Sequence, residues 1–429
     1  MVAWCAGASQ ATPALQADKL MNTDARANAD SARQASPLVW RLVAPILRQA
    51  RCGNLRVELP GGVTDWIEGD QRGPSASLRI HRLRTLLRFI TAGETGLLEA
   101  YMDGDWDTPD LAGLLEWGVV NEPWFGRLLS GHAGVRLMGR CLHALRPNTR
   151  RGSRRNIASH YDLGNDFYAL WLDPTLAYSC GMYHSPEDEL EQAQQHKFDR
   201  MLGLLALEPG HHLLEIGSGW GGFAIYAARQ AGCRVSGLTV SREQLRVSRE
   251  RAREAGVDDR VQFHFEDYRD HRGQYDRVVS IEMFEAVGER YWPAFFQILH
   301  DRLVPGGRAA LQVITIDEAL YPTYRREADF IQRYIFPGGM LPPPGLFELH
   351  ARAAGLKTGL KRFFGQHYAH TLASWQKRLE KVSGSLLETG YEEAFLRMWV
   401  SYLAYCQAGF RTGRIDLMQT LLLREPEYD

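Results

Sequence analysis

A chain of 429 residues with 45% hydrophobic and 24% charged residues, including 11 Trp, 17 Tyr and 17 Phe, is too apolar for a disordered segment and too irregular for a coiled coil or collagen. Its formal net charge of −1 provides no global basic field for nucleic acid, and no apolar run reaches the roughly 20 residues that span a bilayer as a helix. The length fits two or three domains at about 150 residues each. Six cysteines scattered without a C-x-x-C pair suggest neither a zinc site nor a disulfide scaffold, as expected in a reducing cytoplasm.

Residues 1–36 are rich in Ala, Ser, Gln and Asn without a basic stretch leading into an apolar one, and read as a flexible tail. Residues 37–135 read as a small mixed α/β domain. It opens with a helix over Pro37–Arg51 that places Leu38, Val39, Leu42, Val43, Ile46 and Leu47 on one face. Two readings stand for that helix: packing on its own domain, or an arm touching lipid. Strand-like stretches at Leu55–Leu59 and Ser77–Ile80 come next, separated by turn signals at Pro60-Gly61-Gly62 and Arg72-Gly73-Pro74.

Residues 136–158 read as a basic linker. From Pro123 to Tyr161 there is no Asp or Glu, while Arg127, Arg136, Arg140, Arg146, Arg150, Arg151, Arg154 and Arg155 are all present. Such a run is either a solvated connector or a contact for an anionic surface, phospholipid headgroups or nucleic acid. Within residues 159–429 the pattern turns to strands alternating with helices, the mark of a parallel sheet covered on both faces. Strands are expected at His211–Ile216, Arg234–Thr239, Val261–Phe265, Arg277–Ser280 and Ala309–Thr315, and helices at Gly222–Gln230, Arg242–Ala255 and Trp292–Arg302.

The first of these strands runs into Gly217-Ser218-Gly219-Trp220-Gly221-Gly222 ahead of a helix. Glycines there let the backbone turn sharply and approach a ligand. The G-x-G-x-G-G spacing, with Glu215 two residues ahead of it, differs from the G-x-G-x-x-G that seats a pyrophosphate. A carboxylate suits the α-amino group of a methionine-bearing cofactor. The tight turn Leu303–Gly307 before the last strand and the Glu266-Asp267-Tyr268 end of the third strand fit the same reading. Together they favour S-adenosylmethionine over NAD. The second strand ends at Leu238-Thr239-Val240-Ser241, without the acid that usually binds ribose.

Specific motifs extend this reading. His160-Tyr161-Asp162-Leu163-Gly164-Asn165-Asp166, Tyr178-Ser179-Cys180-Gly181, Glu215-Ile-Gly-Ser-Gly-Trp-Gly-Gly, Leu238–Gln244, Asp267–Asp270, Met283–Gly288, Tyr334–Gly339, Phe364–Tyr368 and Ala408-Gly409-Phe410 occur in order. In them the chain resembles the cyclopropane-fatty-acyl-phospholipid synthases and the related mycolic acid cyclopropane synthases and methyltransferases, from residue 50 to the C-terminus. The resemblance implies a Rossmann-like class I S-adenosylmethionine-dependent methyltransferase domain with a helical acyl-binding cap, preceded by a small mixed α/β N-terminal domain. It implies cofactor contacts from Tyr178, Ser179, Gly217, Gly219, Thr239, Gln244, Asp267 and Tyr268, with Glu215 beside them.

A double bond is a poor nucleophile, so methyl transfer to it needs close alignment and a dry chamber. Aromatic faces can stabilise the carbocation that results, although most of Trp171, Phe223, Phe284, Tyr334 and Phe336 are expected to be packing residues. Ring closure then needs a base. The resemblance implies bound bicarbonate as that base, held by Glu285, Cys180, Gln312, Tyr368 and Ile314. Gln312 stands where many bacterial synthases have His; its amide can hold an anion but cannot relay a proton. Cys180 has no partner motif for thiol catalysis, and His160 and His184 read as structural.

The leading expectation is methylene transfer from S-adenosylmethionine to the cis double bond of a phospholipid acyl chain, giving a cyclopropane. The runner-up stops at a methyl-branched or exomethylene product. The expected partners are a phospholipid with cis-unsaturated chains, an anionic membrane surface touched from the cytoplasmic face, and a second copy as a candidate homodimer partner, with no nucleic acid. A peripheral lipid-binding protein with a degenerate site is the alternative from another class, and intact Glu285 and Tyr368 argue against it.

Overall fold

Alternating burial along Cys52–Glu58 (β1) makes it a strand with one face on a core. It pairs antiparallel with Thr64–Glu68 (β2) and parallel with Gln71–Ile80 (β3), which in turn receives the short Trp106–Asp107 (β4), giving the order β2-β1-β3-β4. Helices Leu38–Leu47 (α1), Arg84–Met102 (α2) and Leu111–Phe125 (α3) close this core around Leu55, Val57, Phe89, Trp106 and Trp117. The computed structural model describes residues 37–125 and 164–426, so the tail and the arginine run lie outside the described residues.

The apolar face expected for α1 is rotated. Trp40, Val43, Ala44 and Leu47 are buried, whereas Leu38 is 80% and Leu42 69% exposed. Trp40 sets the orientation, because the indole carries the largest apolar area on the helix and its Nε1 donates to Asp65 Oδ2 at 2.9 Å. Helix α2 breaks at Gly93 (φ 61°, ψ −141°), a backbone region that favours glycine.

The larger sheet has the order β10-β11-β9-β8-β5-β6-β7. Its strands are His212–Ile216 (β5), Arg234–Thr239 (β6), Val261–Phe265 (β7), Tyr275–Ile281 (β8), Leu303–Ile316 (β9), Leu356–Phe363 (β10) and Ile415–Arg424 (β11). Strands β5 to β9 are parallel, and β11 inserts antiparallel between β9 and β10. The segment expected as a turn at Leu303–Gly307 already belongs to β9, whose register against β8 shifts between Tyr275 and Arg277.

Helices Leu190–Leu205 (α5), Gly222–Ala231 (α6), Arg242–Glu254 (α7) and Trp292–Arg302 (α8) flank the sheet. The short Asn165–Ala169 (α4), Tyr321–Tyr324 (α9) and Phe330–Tyr334 (α10), with Pro344–Ala353 (α11), Gly365–Glu388 (α12) and Glu393–Arg411 (α13), complete the larger α/β unit. An aromatic core of Phe167, Tyr168, Trp171, Trp375 and Trp399 joins α4 to α12 and α13. On its other side α13 packs into the N-terminal domain through Ala404, and Arg397 Nη2 donates to Asp107 at 2.9 Å. Tyr334 OH donates to Glu99 at 2.5 Å, tying α10 to α2. Among the described residues no helix is long and apolar enough to cross a membrane.

Candidate active site

Every residue expected at the cofactor lines one cavity of about 660 Å³ at the carboxyl end of β5, β6 and β7, where ligands of open α/β sheets bind. Gly217 has φ 85°, and a Cβ there would stand 2.7 Å from Met283 Cγ; at Gly219, φ 51°, a Cβ would meet nothing within 4 Å and would point into open space. Thr239 Oγ1 donates to Gln244 Oε1 at 2.9 Å, while the Ser241 hydroxyl accepts from Gln244 N–H at 3.3 Å and caps α7. Asp267 is turned toward its own loop: Arg269 donates to its two carboxylate oxygens at 2.8 and 2.6 Å. Tyr268 packs edge-on against Phe295.

Glu215 is buried, and its Oε2 has no hydrogen-bond partner. Burial pushes this carboxyl up to about 8, opposed by the nearby Lys197 ammonium. Lys197, on α5, is fully buried and donates to Ser179 Oγ at 2.7 Å; burial brings it down to about 8. A buried carboxyl with one unpartnered oxygen, beside glycines, suits the cationic, amino-bearing end of S-adenosylmethionine, and these residues fit that cofactor. Sequence reasoning missed Lys197, because a lysine in an amphipathic helix reads as a solvated one.

The cluster of Cys180, Gln312 and Tyr368 centres on Glu282, not on Glu285. Glu282 directly follows β8 in a left-handed conformation (φ 51°), rare for a residue with a side chain and concentrated at functional sites. Its Oε1 accepts from Cys180 N–H at 2.9 Å and Gln312 Nε2 at 2.7 Å, and its Oε2 accepts from Tyr368 OH at 2.5 Å. Burial raises this carboxyl; its three donors and Lys197 oppose the rise. Behind it runs a chain of oriented bonds. Gln312 Oε1 accepts from Gln419 Nε2 at 2.8 Å, and Gln419 Oε1 accepts from Arg200 Nε at 2.7 Å. Gln312 and Gln419 face each other across β9 and β11, so the Gln312 NH₂ is aimed at Glu282 by its neighbour.

Glu285 stands apart from these donors. Its Oε1 accepts from Ile314 N–H at 2.5 Å, and its buried Oε2 has no partner. Burial, then the adjacent Glu282, pushes it up to about 8. The structure therefore brings together Cys180, Gln312 and Tyr368 as expected, but around Glu282, and places Ile314 on Glu285. The groups expected to hold bicarbonate are already bonded to the chain's own carboxyls. A separate anion would have to displace Glu282 and sit between two acids, so the residues do not fit bicarbonate.

The Cys180 Sγ–H donates to Gly181 O at 2.9 Å, and burial pushes the thiol well above its ordinary range, which makes it inert. Tyr178 and Tyr402 share a hydroxyl contact of 2.9 Å, and Tyr368 stacks on Phe410 at 4.6 Å. With Phe336 these rings surround the cavity next to Glu282. Phe284 packs instead among Trp292, Phe296 and Phe347, Phe223 packs on Phe198, and His184 stacks on His196. His160 lies outside the described residues.

A family model described as mycolic acid cyclopropane synthetase matches residues 148–420. The chain belongs to this family. It is 41% identical over 378 residues, 83% of this chain and 84% of the relative, to the tuberculostearic acid methyltransferase UfaA1 of Mycobacterium tuberculosis. It is 34% identical over 359 residues, 82% of this chain and 89% of the relative, to the cyclopropane-fatty-acyl-phospholipid synthase of Escherichia coli. A solved structure of the mycolic acid cyclopropane synthase CmaA1 with SAH and CTAB superposes at a TM-score of 0.60 and 32% identity, over 63% of this chain and 98% of that one. The protein is thus an enzyme of the class that transfers a methyl or methylene group from S-adenosylmethionine to lipid.

Proposed function

We propose that this enzyme adds the methyl carbon of S-adenosylmethionine to the cis double bond of a phospholipid acyl chain and that Glu282 removes a proton from that carbon, leaving a cyclopropane. The observation that carries the reading is the Glu282 carboxyl, held by three donors beside the cofactor pocket and facing the same cavity. S-adenosylmethionine, when bound, supplies an electrophilic methyl group to the alkene, leaving a carbocation on the neighbouring carbon.

The chain's own residues do the rest. Tyr178, Phe336 and Tyr402 keep water from the cation and offer it their ring faces. Glu282 takes a proton from the new methyl group, and the C–H electron pair closes the ring. Glu285, protonated below about pH 8, stands beside Glu282 without adding a second charge.

A second reading is favoured by the 41% identical tuberculostearic acid methyltransferase. If a hydride shifts between the two carbons before Glu282 acts, the same proton loss gives an exomethylene chain. Purified enzyme given methyl-labelled S-adenosylmethionine and vesicles of cis-monounsaturated phospholipid decides between them by proton NMR of the product. Cyclopropyl methylene signals support the first reading, vinylic signals the second, and no label in lipid refutes both. Contact with an anionic membrane surface from the cytoplasmic side is supported by the arginine run at 127–155. It requires vesicle binding to weaken as salt rises.

A further inference from the structure

Lys197 is among the largest fully buried side chains of the protein, and the chain gives its ammonium little in return. Among the described residues Nζ has one hydrogen-bond acceptor, Ser179 Oγ at 2.7 Å, although the group carries three N–H donors. The Phe198 ring lies 4.6 Å from Nζ, and the carboxyls of Glu282, Asp173 and Glu215 act on it through space. Burying a charge with so few direct partners is costly, and an apolar side chain of similar length could fill the same place in α5. A cation kept there answers to a need other than packing.

Ser179 shows what that need is. One turn of α5 holds it twice: Gln194 Nε2 donates to its carbonyl at 2.7 Å, and Lys197, three residues on, donates to its hydroxyl. A serine hydroxyl has one hydrogen to give and two lone pairs to receive. Oγ accepts from Lys197, and its own hydrogen meets no acceptor among the described residues, so the hydroxyl is left as a donor at the wall of the cavity that Ser179 lines. The ammonium behind it strengthens that donor, because linked hydrogen bonds polarise one another. Glu215 lines the same cavity with the opposite polarity, its Oε2 accepting from nothing among the described residues. An unspent donor backed by a cation and an unspent acceptor on a carboxyl match the carboxylate and the ammonium of an α-amino acid.

We infer that Lys197 is a positioning residue for the methyl donor: it sets the Ser179 hydroxyl to bind the α-carboxylate of the methionine moiety, while Glu215 takes the α-amino group. Lys197 is not itself among the residues that line the cavity, so it acts through the serine. The inference rests on S-adenosylmethionine as the cofactor and is independent of the lipid product. The competing role is that of counter-ion to Glu282 alone, which would alter catalysis without altering how the carboxylate of the cofactor is read.

The test is calorimetric titration of the full-length enzyme with S-adenosylhomocysteine and with its decarboxylated counterpart, which keeps the adenosine and the amino group. The unchanged enzyme should favour the carboxylate-bearing ligand by about tenfold or more, the worth of a hydrogen bond to a charged group. Lys197→Met should remove most of that preference while leaving affinity for the decarboxylated ligand nearly unchanged. Ser179→Ala should do the same, and in the double variant the two losses should not multiply, since the lysine acts through the hydroxyl.

Equal weakening of both ligands by Lys197→Met, or no change in either, overturns the inference and leaves Lys197 a support for its segment or a counter-ion to Glu282. Losses that multiply in the double variant overturn it too. Circular dichroism checks each variant; if Lys197→Met does not fold, the decision passes to Lys197→Gln, which keeps an N–H donor but not the charge. That variant should lower the preference at least about threefold, and an unchanged preference refutes the inference. If the unchanged enzyme binds both ligands equally, the inference falls and the cofactor assignment stands; binding of neither removes both.

Discussion

Replacing Glu282 by Gln removes a charge while keeping the shape of the side chain, and the surrounding bonds dictate how the site responds. Gln312 cannot turn its amide over without losing Gln419, so the new carbonyl oxygen must accept from both Gln312 and Cys180. The new NH₂ then faces Tyr368, whose hydroxyl loses its acceptor. That mismatch costs about 1–3 kcal/mol, offset by no longer burying a carboxylate, so the melting temperature should move little. Catalysis should fall by the worth of a positioned base, about 10²–10⁴-fold, or roughly 3–5 kcal/mol at 1.36 kcal/mol per decade. The assay is methyl transfer to vesicles under saturating lipid, alongside calorimetric titration of S-adenosylmethionine, which should bind the variant as it binds the unchanged enzyme. The unchanged enzyme should also run at the same rate in carbon-dioxide-free buffer as in added bicarbonate. A Gln variant keeping more than a tenth of the rate, or a bicarbonate requirement in the unchanged enzyme, would refute the assignment of the base to Glu282.

Glu285→Gln mimics the protonated state that Glu285 holds below about pH 8, so it should keep activity within about tenfold at pH 7, and a profile of kcat against pH should lose its decline above about pH 8. Stability has the same sign: a carboxyl whose folded value is raised binds its proton more tightly when folded, so its contribution is full below the ordinary carboxylate range and is lost as pH rises to about 8. Denaturant titrations at several pH values should show that slope flattened in the variant. Tyr368→Phe withdraws a donor from the charged form of Glu282, which raises that carboxyl further; the acid limb of kcat/KM should move to higher pH. Gln419→Leu leaves Gln312 Oε1 and the Arg200 guanidinium without these partners; it should destabilise the protein by about 1–3 kcal/mol in chemical denaturation and reduce kcat while barely changing KM for S-adenosylmethionine.

The parallel sheet could be read from the chain because its signals are local: alternating strands and helices, and glycines between Ile216 and Phe223 that leave the backbone little choice. The face of α1 could not, since Leu38 and Leu42 have the right spacing and only the reach of Trp40 to Asp65 selects another side. At the reacting cluster, Cys180, Gln312, Ile314 and Tyr368 came from resemblance to a family. Glu282 escaped because a carboxylate at a strand end, three residues before the acid of a known motif, has no local mark. Its partners lie 102, 30 and 86 residues away along the chain, and they meet only once β9, α12 and the Tyr178–Gly181 segment have docked. Gln419 is further out of reach of pattern reading, since its role depends on register between strands separated by the whole helical cap.

Strand β11 also has a bearing on when the enzyme becomes active. Among the described strands it is the last in chain order, yet it is inserted inside the sheet between β9 and β10 and carries the residue that turns Gln312 toward Glu282. During synthesis, the β5 to β9 strands and the cofactor loop leave the ribosome well before residues 415–424. A chain without them could therefore assemble a pocket for the methyl donor while Gln312 lacked the partner that aims it at Glu282. The Gln419–Gln312 contact thus forms only after residues 415–424 are made, later than the loop that receives the methyl donor.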